Sequence, residues 1–182
     1  MPHDSRYVQW IRVLDWHGIQ ELWKSVRLGA TPGWEPGRAF EHLILRAFEL
    51  DGAVVSWPYT VDLHDQLVEQ IDGAVYAGSL SCLVEAKDTM RPVNFDAVGK
   101  LRQQLSRRPA GVVGLLFSRT GFTEPAATLA RYLAPQNVLF WTGKDLTTAL
   151  EQRSMLDALE MKYRHLVEFG SPKYDLRMEG AR

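Results

Sequence analysis

Three charged residues near the middle of the sequence could together do chemistry. Asp72 lies in the segment QIDGAVY (70–76), and Glu85 and Lys87 end the segment LSCLVEAK (80–87). Both segments are typical of short strands, and the connection between them has the length of a hairpin loop. A hairpin would place Asp72 opposite Glu85 or its neighbour, and residues two apart on a strand share a face. We therefore expect Asp72, Glu85 and Lys87 to converge.

Two carboxylates held a few ångströms apart repel each other and are costly to bury unless a cation lies between them. Oxygen ligands of this kind suit Mg²⁺ or Mn²⁺, with water in the remaining positions. The backbone carbonyl of Ala86 and the carboxylate of Glu41 could add further ligands. A metal in such a site acidifies a bound water and stabilises charge on phosphoryl oxygens, and Lys87 could orient or deprotonate that water. This chemistry is typical of phosphodiester hydrolysis.

Each of these residues also has an ordinary structural interpretation. Asp72 followed by Gly73 is common in turns. Glu85 and Lys87 could form an exposed ion pair worth under about 1 kcal/mol. The pattern of an aspartate followed by Glu-x-Lys also occurs by chance. The functional interpretation is favoured because the charges end an otherwise apolar strand and a basic helix follows directly.

The order of predicted elements is helix, three strands, helix, strand, helix, strand and closing helices. The predicted elements are a helix at 37–52 with Glu41 at the edge of its apolar stripe, strands at 53–61, 70–76 and 80–87, a helix at 94–107, a strand at 111–118, a helix at 123–134, a strand at 137–142 and helices at 143–152 and 155–170. Residues 62–69 are expected to be a polar connection. Because the early strands can form a meander and the later alternation requires parallel crossovers, we expect an α/β fold with a mixed central sheet and helices on both faces.

The two ends of the sequence differ from its middle. Residues 1–36 hold four of the six tryptophans and are expected to form one or two helices within 5–28, with Gly18 and Gly29 as weak points. We expect this aromatic arm to pack on the rest of the chain or on a second copy, and a base-stacking surface is the less favoured alternative. The polar tail after residue 170 is expected to fray.

The predicted division is therefore an arm at 1–36, a central domain at 37–150 and a C-terminal helix and tail at 151–182. The apolar surface offered by the arm and the C-terminal helices predicts self-association, most simply as a homodimer.

Composition excludes several classes of protein. The 182 residues carry a net charge of −1 and contain no apolar run near the roughly 18 residues of a membrane span. The N-terminus lacks the layout of a secretory signal, so we expect a cytoplasmic protein without membrane contact. The single cysteine cannot form an internal disulfide, and the five scattered histidines lack zinc-binding spacing. No Ser-His-Asp arrangement or phosphate-binding P-loop is evident.

Charge is distributed unevenly along the chain. Residues 41–85 contain eight Asp or Glu and one Arg, whereas residues 87–108 contain six Lys or Arg and two Asp. One interpretation is that the carboxylates gather around a cation and that the basic helix beside them binds a polyanion. The alternative is that the surface composition is simply uneven. The candidate nucleic-acid contacts are Lys100, Gln103, Gln104, Arg107 and Arg119. The alternative for the helix residues is an ordinary solvated face.

These motifs resemble the PD-(D/E)XK nuclease superfamily, and more narrowly the catalytic domain of Mrr-type restriction endonucleases. Glu41 is similar to the glutamate of that family's opening helix, Asp72 to its metal-binding aspartate, and Glu85-Ala86-Lys87 to its Gln/Glu-x-Lys motif. The segment GVVGLLFSRTGFTEPAATLA resembles the later strand, turn and helix. The resemblance covers most of residues 37–150.

The resemblance implies a restriction-endonuclease-like fold with an αβββαβ core and Mg²⁺-dependent cleavage of DNA, in restriction, defence or repair. Mrr-like proteins often carry a separate winged-helix domain that recognises DNA, and residues 1–36 are too short for one. One alternative is therefore a catalytically silent nuclease-like module that binds DNA or acts as a scaffold in a larger complex. Another is cleavage of RNA.

Overall fold

Helices and strands alternate along the backbone in an order close to the predicted one. The computed structural model describes residues 5–64 and 66–177. The helices are α1 (Ser5–Arg12), α2 (Trp16–Leu28), α3 (Arg38–Leu50), α4 (Phe95–Leu105), α5 (Glu124–Ala130), α6 (Gly143–Gln152) and α7 (Met155–Phe169). The strands are β1 (Val54–Ser56), β2 (Tyr59–Leu63), β3 (Gln66–Ile71), β4 (Gly73–Ala77), β5 (Leu80–Lys87), β6 (Val113–Ser118) and β7 (Val138–Thr142).

A mixed five-stranded sheet forms the centre of the fold, in the order β1-β4-β5-β6-β7. The first three strands in this order pair antiparallel, and β5, β6 and β7 pair parallel. Parallel neighbours need a crossover, and α4 and α5 supply the two crossovers. The mixed α/β sheet is therefore confirmed, and the predicted αβββαβ order is present from α3 to β6 once β2 and β3 are set aside.

The segment between β1 and β4 differs from the prediction. A single strand at 53–61 followed by a polar connection is wrong, because β2 and β3 pair as a separate antiparallel hairpin. Tyr59, Val61 and Ile71 pack into an apolar cluster under this hairpin. The alternating apolar side chains of the hairpin therefore face the core. The predicted strand at 70–76 is likewise two strands, which meet at Asp72.

Two apolar clusters lie on opposite faces of the central sheet. Helices α3, α6 and α7 contribute to one cluster and α4 and α5 to the other. Side-chain alternation along β5 directs Cys82 and Val84 into the first cluster and Leu83 into the second. Cys82 is accordingly a buried residue with a free thiol. Glu85 lies on the same face of β5 as Leu83, towards α4.

The N-terminal aromatic arm packs on α3. Trp23 of α2 stacks on Phe40, and its indole N–H donates to Thr147 at 2.9 Å. Gly29, one of the two predicted weak points, ends α2 in the left-handed conformation. The predicted weak point at Gly18 is wrong, because α1 and α2 are instead separated by a break before residue 16, where the Asp15 carboxylate caps α2.

The tail after residue 170 does not fray within its described part. The carbonyl of Pro172 accepts from the N–H of Phe140 at 2.8 Å, and the buried ammonium of Lys162 donates to the carbonyl of Tyr174. Residues 171–177 therefore cover the edge of β7, and residues 178–182 lie outside the described residues. Across residues 5–64 and 66–177, no helix combines the length and apolar character needed to cross a membrane.

Candidate active site

Asp72 and Glu85 meet where the β4–β5 hairpin opens. Gly73 pairs with Val84, so Asp72, one step earlier, lies opposite Glu85. The Oδ2 atom of Asp72 accepts a hydrogen bond of 2.8 Å from the backbone N–H of Ala86. The Asp72 carboxylate is therefore fixed beside the Glu85-Ala86-Lys87 segment.

Gly73 makes this arrangement possible. A Cβ atom at this position would lie 2.6 Å from Cδ2 of Leu45 and 3.0 Å from the carbonyl oxygen of Ser56. Because α3 and β1 approach the backbone so closely, only glycine fits directly after Asp72. The Asp-Gly pair is thus a packing requirement next to the site and not simple turn chemistry.

Two lysines contact the Glu85 carboxylate, which is fully buried. Lys87, two residues along the same face of β5, forms an ion pair with Oε1 of Glu85. Lys100 reaches the same carboxylate from α4, with its Nζ atom 2.8 Å from Oε1 and 3.0 Å from Oε2. The side chain of Asn94 caps the start of α4, and Lys100 extends from this helix towards β5.

Glu41 and Arg38 form a second, largely buried ion pair on α3. Nη1 of Arg38 lies 2.8 Å from Oε2 of Glu41, one helical turn away. Burial lowers the pKa of Arg38, but the carboxylates of Glu41 and, more weakly, of Asp72 and Glu35 outweigh this effect, and the pKa is raised. Arg38 therefore lies within the electrostatic reach of Asp72.

Two carboxyl groups of this cluster, those of Asp72 and Glu41, have raised pKa values. Burial raises the pKa of Asp72 to about 7, with repulsion from Glu85 and Glu41 adding to the effect, although the hydrogen bond from Ala86 opposes it. Burial also raises the pKa of Glu41, in part against the attraction of Arg38. Negative charge is thus expensive to place here unless another cation joins the cluster.

The donor set fits a divalent metal in its chemistry. Asp72, Glu85 and the carbonyl of Ala86 would supply oxygen ligands, which Mg²⁺ and Mn²⁺ prefer. Within the part of the chain that the structure describes, no group of three or more His, Cys, Asp or Glu side chains could hold a metal ion by itself. A site built on two carboxylates would therefore need the backbone carbonyl and water as further ligands. The ammonium groups of Lys87 and Lys100 now contact the oxygens that would face the ion.

A groove opens directly beside the two lysines. It has a volume of about 540 Å³. Its lining consists of three cationic residues and of residues before and within the start of α4: Lys87, Arg91, Lys100, Thr89, Pro92, Val93, Asn94, Asp96 and Ala97. Its three cations outnumber its one carboxylate, that of Asp96. An anionic group of a substrate could therefore approach Glu85 from this groove.

The predicted nucleic-acid contacts do not form one surface. Lys100 joins the carboxylate cluster, and Gln103 is exposed on α4. Arg107 pairs with the buried Glu69 of the β2–β3 hairpin, and Arg119 pairs with Asp88. Gln104 is buried and donates to the carbonyl of Gln70 at 3.2 Å, so its position argues against a contact with nucleic acid.

Comparison with protein-family models matches residues 35–150 with the catalytic domain of Mrr, described as a restriction endonuclease. The chain belongs to this family. The match contains Glu41, Asp72, Glu85, Lys87 and the groove beside them, and it confirms the resemblance inferred from the sequence. Membership of the Mrr family supports a nuclease, and proteins of this family generally use divalent metal ions.

Solved structures and curated proteins were also compared with this Mrr-type chain. A solved structure of the MspJI restriction endonuclease in complex with a 27-mer oligonucleotide is similar, with 21% identity and a TM-score of 0.42. The alignment covers 87% of this chain and 35% of that chain, so the chain spans about a third of the length of MspJI. A search of curated proteins found no match.

Sequence reasoning missed three features of the Mrr-type site. Arg38 was overlooked, although its spacing of three from Glu41 is the usual signal of a helical ion pair. Asp88 had no predicted role, and it holds Arg119 at the end of β6. The contact of Lys100 with Glu85 was also overlooked, because a pattern of charges along a helix does not reveal which carboxylate the helix faces.

Proposed function

We propose that this chain is an endonuclease that hydrolyses phosphodiester bonds in DNA with Mg²⁺ or Mn²⁺ as its metal. The observation that carries this proposal is the hydrogen bond from Ala86 to Asp72, since it holds the Asp72 carboxylate against the segment that bears Glu85 and Lys87. Membership of the Mrr family supports the same conclusion.

Asp72, Glu85 and the carbonyl of Ala86 would hold the metal. When bound, the ion supplies a Lewis acid for the phosphoryl oxygens and an acidified water. The pKa of Asp72 is raised first by burial and then by repulsion from Glu85 and Glu41, and a bound cation would offset both effects. Glu41, held by Arg38, lies at the edge of this cluster and would orient water.

Lys87 is the candidate catalytic base or charge stabiliser. Its ammonium lies between Glu85 and the groove, so it can leave the carboxylate and reach a phosphate or an attacking water. Lys100 faces both the same carboxylate and the same groove. We assign Lys100 to hold Glu85 in place and to bind the phosphate that enters beside Lys87.

A plasmid cleavage assay tests this proposal. The wild-type chain should convert supercoiled DNA to nicked or linear DNA with Mg²⁺ or Mn²⁺ and lose this activity in EDTA. Lys87→Ala should be inactive, whereas Arg164→Ala, on the exposed face of α7, serves as a matched control with normal activity. Absence of cleavage by the wild-type chain on supercoiled, linear and single-stranded DNA would contradict the proposal. A parallel RNA substrate tests the alternative that RNA is the target.

One observation favours a second candidate, a nuclease-like module that binds DNA without cleaving it. Lys87 and Lys100 already neutralise Glu85, so this carboxylate is paired without a metal ion. Tight DNA binding that EDTA does not change, with no hydrolysis in any metal, would select this candidate.

A further inference from the structure

A second cavity lies at the same edge of the sheet as the proposed active site. Lys87, Ser118 and Thr142 are in register at the ends of β5, β6 and β7. Beyond the ends of β6 and β7, a cavity of about 340 Å³ is lined by Arg119, Thr120, Lys144, Lys173, Asp175 and Arg177, among others. In open α/β sheets, ligands bind beyond the carboxyl ends of the strands.

The two cavities are adjacent and connected by protein contacts. The hydroxyl of Thr120, in the second cavity, donates to the carbonyl of Arg91, which lines the groove beside Lys87, at 2.7 Å. The loop that carries Thr120 also approaches α6 closely, because a Cβ atom on Gly143 would lie 2.3 Å from the carbonyl oxygen of Arg119. Glycine at position 143 is therefore required to bring this loop against the start of α6.

The second cavity has positive charge that the protein does not neutralise. Asp145 is directed inward, where it accepts from the N–H groups of Thr142 and Leu176 and pairs with buried Lys162. Asp175 pairs with Arg177.

Arg119 pairs with Asp88, so the remaining cations of the cavity are Lys144 and Lys173. Lys144 has no ion-pair partner among the residues for which the structure gives contacts. Lys173 lies 3.7 Å from Glu124, and both side chains are largely exposed. Such a pair contributes little, so both ammonium groups can bind an external anion.

We propose that Lys144 and Lys173 bind a backbone phosphate of the nucleic acid whose cleaved bond lies at Lys87. The inference rests on the proposed function. Neighbouring strands lie about 4.8 Å apart, so the end of β7 is roughly 10 Å from the end of β5. A strand of duplex carries one phosphate per about 3.4 Å of its axis, so a phosphate at this distance lies within a few nucleotides of the cleaved bond. The second cavity thus fixes the register of the substrate and carries no base specificity.

The salt dependence of DNA binding tests this proposal. Binding of a fluorescent 24-base-pair duplex is measured in EDTA, which prevents cleavage, from about 50 to 200 mM salt. The wild-type chain is compared with Lys144→Ala, Lys173→Ala, the double variant and the control Arg164→Ala. Each lost phosphate contact should reduce the slope of log Kobs against log salt by about 0.9. Because the two lysines bind one phosphate, we expect a reduction of about 0.9 in the double variant and no change in the control.

The outcomes separate this inference from the proposed function. A wild-type chain that binds and cleaves DNA, with an unchanged salt slope in both single variants and the double variant, would overturn the second phosphate site alone. A wild-type chain that neither binds nor cleaves any nucleic acid would overturn both. Charge reversal in Lys144→Glu gives an independent check. This variant should bind DNA more weakly than Lys144→Ala does, and its unfolding temperature should equal that of the control Arg164→Ala.

Discussion

The carboxylate of Asp72 accepts a hydrogen bond from the backbone N–H of Ala86, at a distance of 2.8 Å. This bond connects the junction of β3 and β4 to the end of β5. It does not depend on the side chain at position 86, and an asparagine in place of Asp72 could accept it equally well. Substitution by asparagine therefore removes the charge of Asp72 while keeping the side chain in place, so the role of the charge can be tested by itself.

Asp72→Asn should abolish metal-dependent cleavage while leaving the fold intact. The amide oxygen keeps the hydrogen bond from Ala86, but a neutral side chain is a poor ligand for Mg²⁺. We expect cleavage to fall by at least about 100-fold, the low end of the effect of losing a catalytic group. Plasmid cleavage and thermal unfolding of the same preparation check this. Retained cleavage would exclude Asp72 as a required ligand.

Stability without metal should depend on pH through Asp72. Because the pKa of Asp72 is raised to about 7 in the folded state, the folded protein keeps a proton that the unfolded chain releases near pH 4. This contribution is fully present below about pH 4 and is lost as the pH rises to about 7, with an upper limit of about 4 kcal/mol.

Urea unfolding in EDTA between pH 4 and 8 measures this dependence. Asp72→Asn should show a smaller fall in the free energy of unfolding than the wild-type chain. Added Mg²⁺ should stabilise the wild-type chain more at pH 8 than at pH 5, because protons compete with the metal. Parallel curves for the two proteins would contradict the assignment.

Lys100→Ala should reduce both cleavage and stability. Removing this ammonium leaves the fully buried Glu85 with Lys87 as its remaining lysine partner, and loss of a hydrogen bond to a buried charged group costs about 1–3 kcal/mol. Arg164→Ala, on the exposed face of α7, is the control and should change neither quantity. Equal behaviour of the two variants in urea unfolding and cleavage would show that the contact of Lys100 with Glu85 has no role.

Arg107 and Arg108 should stabilise the β2–β3 hairpin and not contact DNA. Both pair with Glu69, whose side chain is only 3% exposed. The double variant Arg107→Ala/Arg108→Ala leaves a buried carboxylate without these partners, which should lower the free energy of unfolding by about 3–5 kcal/mol. The single variant Arg107→Ala should leave the salt slope of DNA binding unchanged. If Arg107→Ala instead reduces the slope of log Kobs against log salt by about 0.9, Arg107 contacts a phosphate.

Self-association remains a prediction, and its basis is narrower than the sequence suggested. The aromatic arm packs largely on α3, so less apolar surface is free there than expected. The exposed apolar residues on α7, Val167 and Phe169, remain available to a second copy. Sedimentation over a 100-fold range of concentration should detect a dimer, and a constant monomer mass would contradict it.

The central sheet was predictable because its signals are local. The apolar run in β6, the cap at Asn94 and the alternation along β5 each act within a few residues. The β2–β3 hairpin was missed because its polar outer face resembles a loop, and the apolar cluster that it covers is assembled from distant segments. The ordered path of residues 171–177 was missed for a similar reason. It depends on hydrogen bonds to Lys162 and to the edge of β7, which are distant in the sequence.

The sequence predicted which residues of the candidate site lie close together, but it did not predict which other side chains contact them. The convergence of Asp72, Glu85 and Lys87 follows from hairpin register and side-chain alternation. The position of Lys100 on Glu85 depends on how α4 crosses the sheet, and the pairing of Arg107 with Glu69 depends on the hairpin. Neither relation is encoded in spacing along the sequence.

A crystal of the wild-type chain soaked in Mn²⁺ and measured for anomalous scattering is the most direct test of the proposed metal site. We predict one Mn²⁺ peak within about 2.0–2.4 Å of carboxylate oxygens of both Asp72 and Glu85, with Lys87 and Lys100 displaced from those oxygens. If the same protein cleaves DNA with Mn²⁺ but the crystal shows no Mn²⁺ peak at Asp72 and Glu85, these carboxylates are not the catalytic ligands.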